Sequence, residues 1–122
     1  MKLVINGRLP GLNEILGAAN DNRYGGNRLK QSTQDIVAWE IKRQLKGYKA
    51  KCPIRLHYAY YEPNARRDYD NIAGGAHKIV QDALKDCKVI PDDRRKYICG
   101  FTDLVFEVDR ENPRVEVEIE EV

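Results

Sequence analysis

Two aspartates one residue apart, Asp68 and Asp70, stand in the segment Arg66-Arg67-Asp68-Tyr69-Asp70-Asn71. In extended backbone, residues i and i+2 point to the same side, so both carboxylates can converge on one cation. Arg66 and Arg67 beside them would draw a phosphate to the same place, which describes a site for Mg2+ and a phosphodiester together. Asp92-Asp93 offers further carboxylate from a second loop, after a helix of the right length to bring the chain back. Lys78 falls on the polar face of that helix, seven residues after Asn71 and nearly above it. Taken singly, each has a plainer use: Asp68 and Asp70 as helix caps, Asp92-Asp93 as a turn, Lys78 as a solvated partner of Asp82.

Other chemistries fail on spacing. An EF-hand counted from Asp68 would need glycine at Ala73 and glutamate at Ile79. An aspartyl-phosphate phosphatase would run an apolar strand into the first aspartate, where this chain has Arg66-Arg67. No P-loop, GxSxG or HExxH pattern is present. The three cysteines (Cys52, Cys87 and Cys99) show no CxxC spacing, and only two histidines occur, which argues against a disulfide scaffold and a Cys or His metal site. With 122 residues, 42% of them hydrophobic and 33% charged, the chain suits one domain spanning 1–122. No apolar run is long enough for a bilayer and the amino terminus shows no signal-peptide pattern, so the expected location is cytoplasmic, without a membrane partner. Charge is graded: residues 1–50 hold nine Lys/Arg against four Asp/Glu, and residues 103–122 hold two against eight. A basic body with an acidic last strand suits a polyanion on one side, though a sorted solvent surface explains it equally well.

The elements that must position these residues follow from periodicity. Lys2–Leu9 alternates as a first strand. Pro10–Lys30, rich in glycine and asparagine, reads as a long polar flap in which Arg8, Arg23, Arg28 and Lys30, with Tyr24, could touch phosphates. Ser32 or Thr33 is placed to cap a helix to about Lys46, with Val37, Ala38, Ile41 and Leu45 inward and Ile36 and Trp39 on a second face. Ile54–Tyr60 alternates as a second strand. Asp70 is placed to cap a helix over Asn71–Lys85, with Gly74 and Gly75 on its polar side. A third strand covers about Ile98–Val108, its change of phase implying a bulge near Thr102-Asp103. Arg114–Ile119 is expected to pair back on it as a hairpin. The order predicts an α+β domain: a mixed or mostly antiparallel sheet covered by two main helices.

Three linked segments carry a resemblance. Arg66-Arg67-Asp68-Tyr69-Asp70-Asn71-Ile72, then Lys78-Ile79-Val80-Gln81-Asp82-Ala83-Leu84, then Val89-Ile90-Pro91-Asp92-Asp93 are similar to the signature of the RusA family of Holliday junction resolvases: R-D-x-D-N, a helix with K-x-x-x-D-A-L, and an apolar stretch ending in D-D. Leu9-Pro10-Gly11-Leu12-Asn13 with Asn22-Arg23-Tyr24 resembles the family's amino-terminal loop. The resemblance implies a RusA-like fold and a homodimeric, Mg2+-dependent endonuclease, with Mn2+ as a substitute ion, that resolves four-way DNA junctions by paired symmetric nicks. It implies a role in DNA recombination, repair or phage DNA processing, in a bacterium or phage. It assigns Asp68, Asp70 and Asp93 as catalytic metal ligands and Lys78 as the catalytic lysine, with Asp92 beside them. Ala73–Ala76 amounts to one helical turn more than the family's usual spacing, which keeps the lysine's face and moves it by about 5 Å. Arg8, Arg23, Arg28, Lys30, Arg66 and Arg67 are the expected phosphate contacts, with Asn71 of the same motif as a further DNA-binding residue. Ile36, Trp39 and the acidic last strand are candidates for the dimer interface.

Two other classes compete. One is a DNA-binding protein of the same fold that does not cleave. The other is a dimeric protein-interaction module whose acidic last strand meets a basic partner.

Overall fold

The computed structural model describes residues 1–21 and 25–122, with side-chain surroundings for those outside 17–27. In chain order the elements are β1 (Lys2–Asn6), α1 (Leu12–Asp21), α2 (Gly25–Leu45), β2 (Ile54–Glu62), α3 (Tyr69–Asp86), β3 (Ile98–Val108) and β4 (Arg114–Glu121). The strands form one mixed sheet in the order β1-β4-β2-β3. β4 is antiparallel to both β1 and β2, and β2 is parallel to β3. The class is the expected α+β, with three helices in place of two.

Strict alternation makes β2 the spine of the sheet. Ile54, Leu56, Tyr58, Tyr60 and Glu62 are buried, and the residues between them face the other side. That inner face meets Leu3 and Ile5, Val115, Val117 and Ile119, and the apolar sides of α2 (Val37, Ile41, Leu45) and α3 (Ile72, Ile79, Val80, Leu84). Each large side chain so buried contributes about 1.5–3 kcal/mol. The four of α3 therefore outweigh Gly74 and Gly75 in its interior, which cost about 1 kcal/mol each. The sheet's other face is laced with charge, including Lys2–Glu116 at 2.5 Å and His57–Glu120 at 2.9 Å.

Three expectations are corrected. First, Arg114–Glu121 does not return as a hairpin on β3. It inserts between β1 and β2, and the connecting turn crosses the end of β2, where the Asp109 amide donates to the Glu62 carbonyl at 2.8 Å. The parallel β2-α3-β3 unit occupies one side of β2, leaving the other for β4. β3 is fit for an edge because its register slips twice, leaving Cys99 and Leu104 without partners on β2. The second slip lies beside the bulge expected at Thr102-Asp103.

Second, the expected flap is largely helical. α1 fills Leu12–Asp21 and α2 begins at Gly25, so Ser32 and Thr33 lie inside a helix. Their hydroxyls donate back to the Leu29 carbonyl, at 3.2 and 2.8 Å, instead of capping. Ile15 packs on the core and Leu12 on Gly74, two apolar anchors hidden among glycines and asparagines.

Third, α3 starts at Tyr69, which makes Asp68 the N-cap residue and puts Asp70 in the first turn. Gly75 is buried, not solvent-facing: a Cβ there would stand 2.1 Å from the Pro10 carbonyl oxygen. The Pro10–Leu12 segment crosses α3 at this point. No helix among the described residues is long and apolar enough to cross a membrane.

Candidate functional site

Because β2 and β3 are parallel, their carboxyl ends open together at the amino end of α3, the usual place for a site in such a unit. A cleft of about 620 Å³ lies there, lined by Glu62, Asn64, Ala65, Arg67, Asp68, Tyr69, Asp70, Ile72, Phe106, Glu107 and Val108. Four of these are carboxylates. Asp68 has extended backbone (φ −74°, ψ 155°) and caps the helix by position alone, since its side chain makes no capping hydrogen bond. Asp68 and Asp70 are both exposed and turned to solvent at the positive end of the helix dipole.

The neighbouring residues hold the frame. Arg67 donates from Nε and Nη2 to the two oxygens of Glu62, each at 2.8 Å, and from Nη1 to the Leu9 carbonyl at 3.0 Å and Glu14 at 3.1 Å. Asn71 accepts from the Asn13 amide at 2.6 Å through Oδ1, and Gly11 packs so closely that a Cβ there would meet the same oxygen at 2.6 Å. Arg67 and Asn71, expected to contact DNA, thus have these groups engaged in fixing residues 9–14 across α3. The motif alternates frame and free carboxylate: Arg67 and Asn71 brace, Asp68 and Asp70 project.

One wall of the cleft is aromatic. Tyr69 stacks on Phe106 at 4.2 Å, Phe106 on Tyr60 at 4.8 Å and Tyr60 on Tyr58 at 5.9 Å. Behind it, Tyr60 donates to Asp103 at 2.6 Å, and the same oxygen meets His77 Nε2 at 2.8 Å. Burial pushes the Tyr60 hydroxyl far above its ordinary value, and the bond to Asp103 adds to the shift. Burial likewise raises Tyr58, whose hydroxyl accepts from Gln81 at 3.4 Å. Both phenols stay neutral, and the cluster ties α3 to β2 and β3.

The remaining expected residues are scattered. Asp93 does not join Asp68 and Asp70: it follows the carboxyl end of α3, where Asp92 pairs with Lys85 at 3.5 Å and Arg94 at 2.8 Å. Sixteen residues of helix from Asp70 to Asp86 separate the two ends by about 24 Å. The Asp92 carboxyl is held below the usual carboxylate range, first by the Asp93 amide at 2.8 Å and then by Lys85 and Arg94. Lys78 is exposed midway, about 12 Å along the helix from Asp70, and does not line the cleft. Lys30 bridges α2 to α3 through Asp82 at 2.6 Å. Arg8 lies 3.7 Å from Glu14; Arg28 and Arg66 are exposed. Arg23 lies outside the described residues, as does Tyr24. Ile36 and Trp39 stand exposed on the outer face of α2.

Sequence reasoning missed Glu62, Glu107, Tyr69 and Phe106. Glu62 had a signal, as the fifth member of the alternation from Ile54. Glu107 had none, because only the β2–β3 register sets it opposite Tyr61 at the cleft.

No family model and no curated protein matches this chain. Chemically, the cleft offers hard oxygen donors and an aromatic wall. Its two free aspartates suit a divalent cation shared with a substrate phosphate, the mode in which Mg2+ is usually bound. No three His, Cys, Asp or Glu side chains among the described residues already stand together as a metal site.

Proposed function

We propose that this protein is a Mg2+-dependent, structure-specific DNA endonuclease that resolves four-way junctions as a homodimer, as the resemblance to the RusA family implies. The supporting observation is the Asp68–Asp70 pair: two exposed carboxylates at the mouth of a cleft, the first at an N-cap position yet making no cap bond. A capping role would have Asp68 accept from the helix amides, which it does not do.

Asp68 and Asp70 would hold the cation, which when bound supplies charge neutralisation and an activated water. The chain's own groups orient the pair: Arg67–Glu62 fixes the turn before Asp68, Asn71 fixes the turn after Asp70, and the Tyr69–Phe106 stack closes one side. Asp93, which lies beyond the opposite end of α3 in the same chain, would come from a second copy. That also gives two cleavage centres related by a two-fold axis, as paired nicks require.

The separation of Asp93 favours one other reading, DNA binding without cleavage. The test incubates the purified protein with a synthetic four-way junction and a matched linear duplex, in Mg2+ or EDTA, beside Asp70→Asn. Paired symmetric nicks in the junction alone, lost in EDTA and in the variant, are the expected result. Junction binding with no cleavage in Mg2+ or Mn2+ would leave the binding-only reading. Neither binding nor cleavage would sink both.

A further inference from the structure

A cleft lined by Glu62, Asp68, Asp70 and Glu107 repels the phosphodiester it is proposed to hold, and Arg67 is committed to Glu62. Affinity for a polyanion has to come from another surface. The opposite end of the molecule carries one. There the Ala50 amide donates to the Val89 carbonyl at 2.9 Å, which brings Lys49 and Lys51 beside Lys88. The Ile54 amide donates to the Tyr97 carbonyl at 2.8 Å, which brings Arg95 and Lys96 to the same edge. All five are exposed and no side chain of theirs makes an ion pair among the described residues, although the Lys51 amide donates to the Glu121 carboxylate at the same edge. Tyr97 lies among them, with the Lys96 ammonium 5.6 Å from its ring.

We propose that this end, built from Lys49, Lys51, Lys88, Arg95 and Lys96 around Tyr97, is a contact surface for the DNA phosphate backbone. Unpaired cations displayed by three segments that backbone hydrogen bonds lock together keep their spacing without a ligand, which lowers the cost of ordering them on binding. The inference rests on the junction-nuclease reading. In the dimer that reading requires, Arg95 and Lys96 travel with Asp93 to the second copy's cleft and supply there the positive charge that the cleft lacks.

The test measures fluorescence anisotropy of a labelled four-way junction, with Ca2+ replacing Mg2+ to suppress cleavage, over a series of salt concentrations. Each phosphate contact contributes about 0.9 to the slope of log affinity against log salt. Arg95→Gln/Lys96→Gln is expected to flatten the slope by about 1.8. Lys2→Gln/Arg43→Gln, which removes equal charge from two exposed positions elsewhere, paired with Glu116 and Glu40, is expected to leave it unchanged. A wild-type slope in the Arg95/Lys96 variant, or equal flattening in both variants, overturns this surface and leaves the nuclease reading standing. A wild-type protein that does not bind the junction overturns both.

Discussion

Arg67 lays Nε and Nη2 against the two carboxylate oxygens of Glu62, each at 2.8 Å, with the side chains 10% and 7% exposed. An ion pair so buried is costly to break, because the survivor keeps its charge without a partner. Arg67→Ala is therefore expected to lower unfolding stability by about 3–5 kcal/mol. Arg67→Lys should restore little, since an ammonium cannot reproduce the two-pronged fork. Arg66→Ala, at an exposed neighbour, should leave the urea midpoint unchanged. Equal midpoints for Arg67→Ala and wild type would refute the bracing role.

The carboxylates between these braces behave differently. Asp70→Asn removes a charge that helps the helix by only its dipole interaction, about 1 kcal/mol or less. On the proposed nuclease reading, cleavage should by contrast fall about 100-fold or more, because the proposed cation ligand is lost. Junction affinity in Ca2+ should hold or rise, as a negative charge facing phosphate disappears. Loss of affinity together with loss of the fold would instead make Asp70 a structural residue.

Gly75 marks the crossing of the amino-terminal segment over α3. A methyl group there would meet the Pro10 carbonyl at 2.1 Å, and that atom is backbone. Gly75→Ala should cost about 1–3 kcal/mol by overpacking, despite alanine's better helix propensity. Gly74→Ala meets only the Leu12 side chain, at 3.3 Å, and should be tolerated better. Hydrogen exchange of residues 9–15 is the discriminating measurement: faster exchange in the Gly75 variant shows the segment lifting off.

Tyr58 and Tyr60 set an alkaline limit to stability. Burial raises both phenols above the ordinary value of about 10, so at higher pH the unfolded chain loses protons that the folded chain keeps. Their contribution is complete below pH about 10 and declines as pH rises beyond it. The denaturant midpoint should fall between pH 9 and 11 in the wild type, a range set about the ordinary phenol value. Tyr60→Phe should flatten that fall while lowering stability at neutral pH, because Asp103 loses the Tyr60 bond and keeps only its contact with His77. A pH dependence identical in both proteins would contradict the assignment.

Legibility in the sequence followed the range of the interactions. β2 and α3 were readable to within two residues because alternation and helical period are local. The pairing of β4 was not, since Asp109–Pro113 has the composition of a hairpin turn and only the parallel β2-α3-β3 unit sends β4 across to β1. Asp68 and Asp70 were readable as a pair because one short segment carries them. The use of Arg67 was not, because its partners Glu62, Leu9 and Glu14 lie on three different segments. Whether a charged residue meets solvent, ligand or a buried counter-ion is decided by tertiary contacts that composition does not record.

The separation of Asp93 from Asp68 and Asp70 leads to a complementation experiment. On the proposed reading of a homodimeric nuclease, Asp70→Asn and Asp93→Asn homodimers should both be inactive on a four-way junction. If Asp93 serves the other copy's cleft, a mixed dimer gathers both substitutions into one site and leaves the other intact. Co-refolding the two inactive variants should then restore nicking at one strand, at roughly the share of mixed dimers formed. If each chain completes its own site, every site in the mixed dimer carries one substitution and no activity returns. Restored single-strand nicking would establish a shared site. Continued inactivity, with mixed dimers verified by mass, would require Asp93 either to reach its own chain's cleft by rearrangement or to play no part in the chemistry.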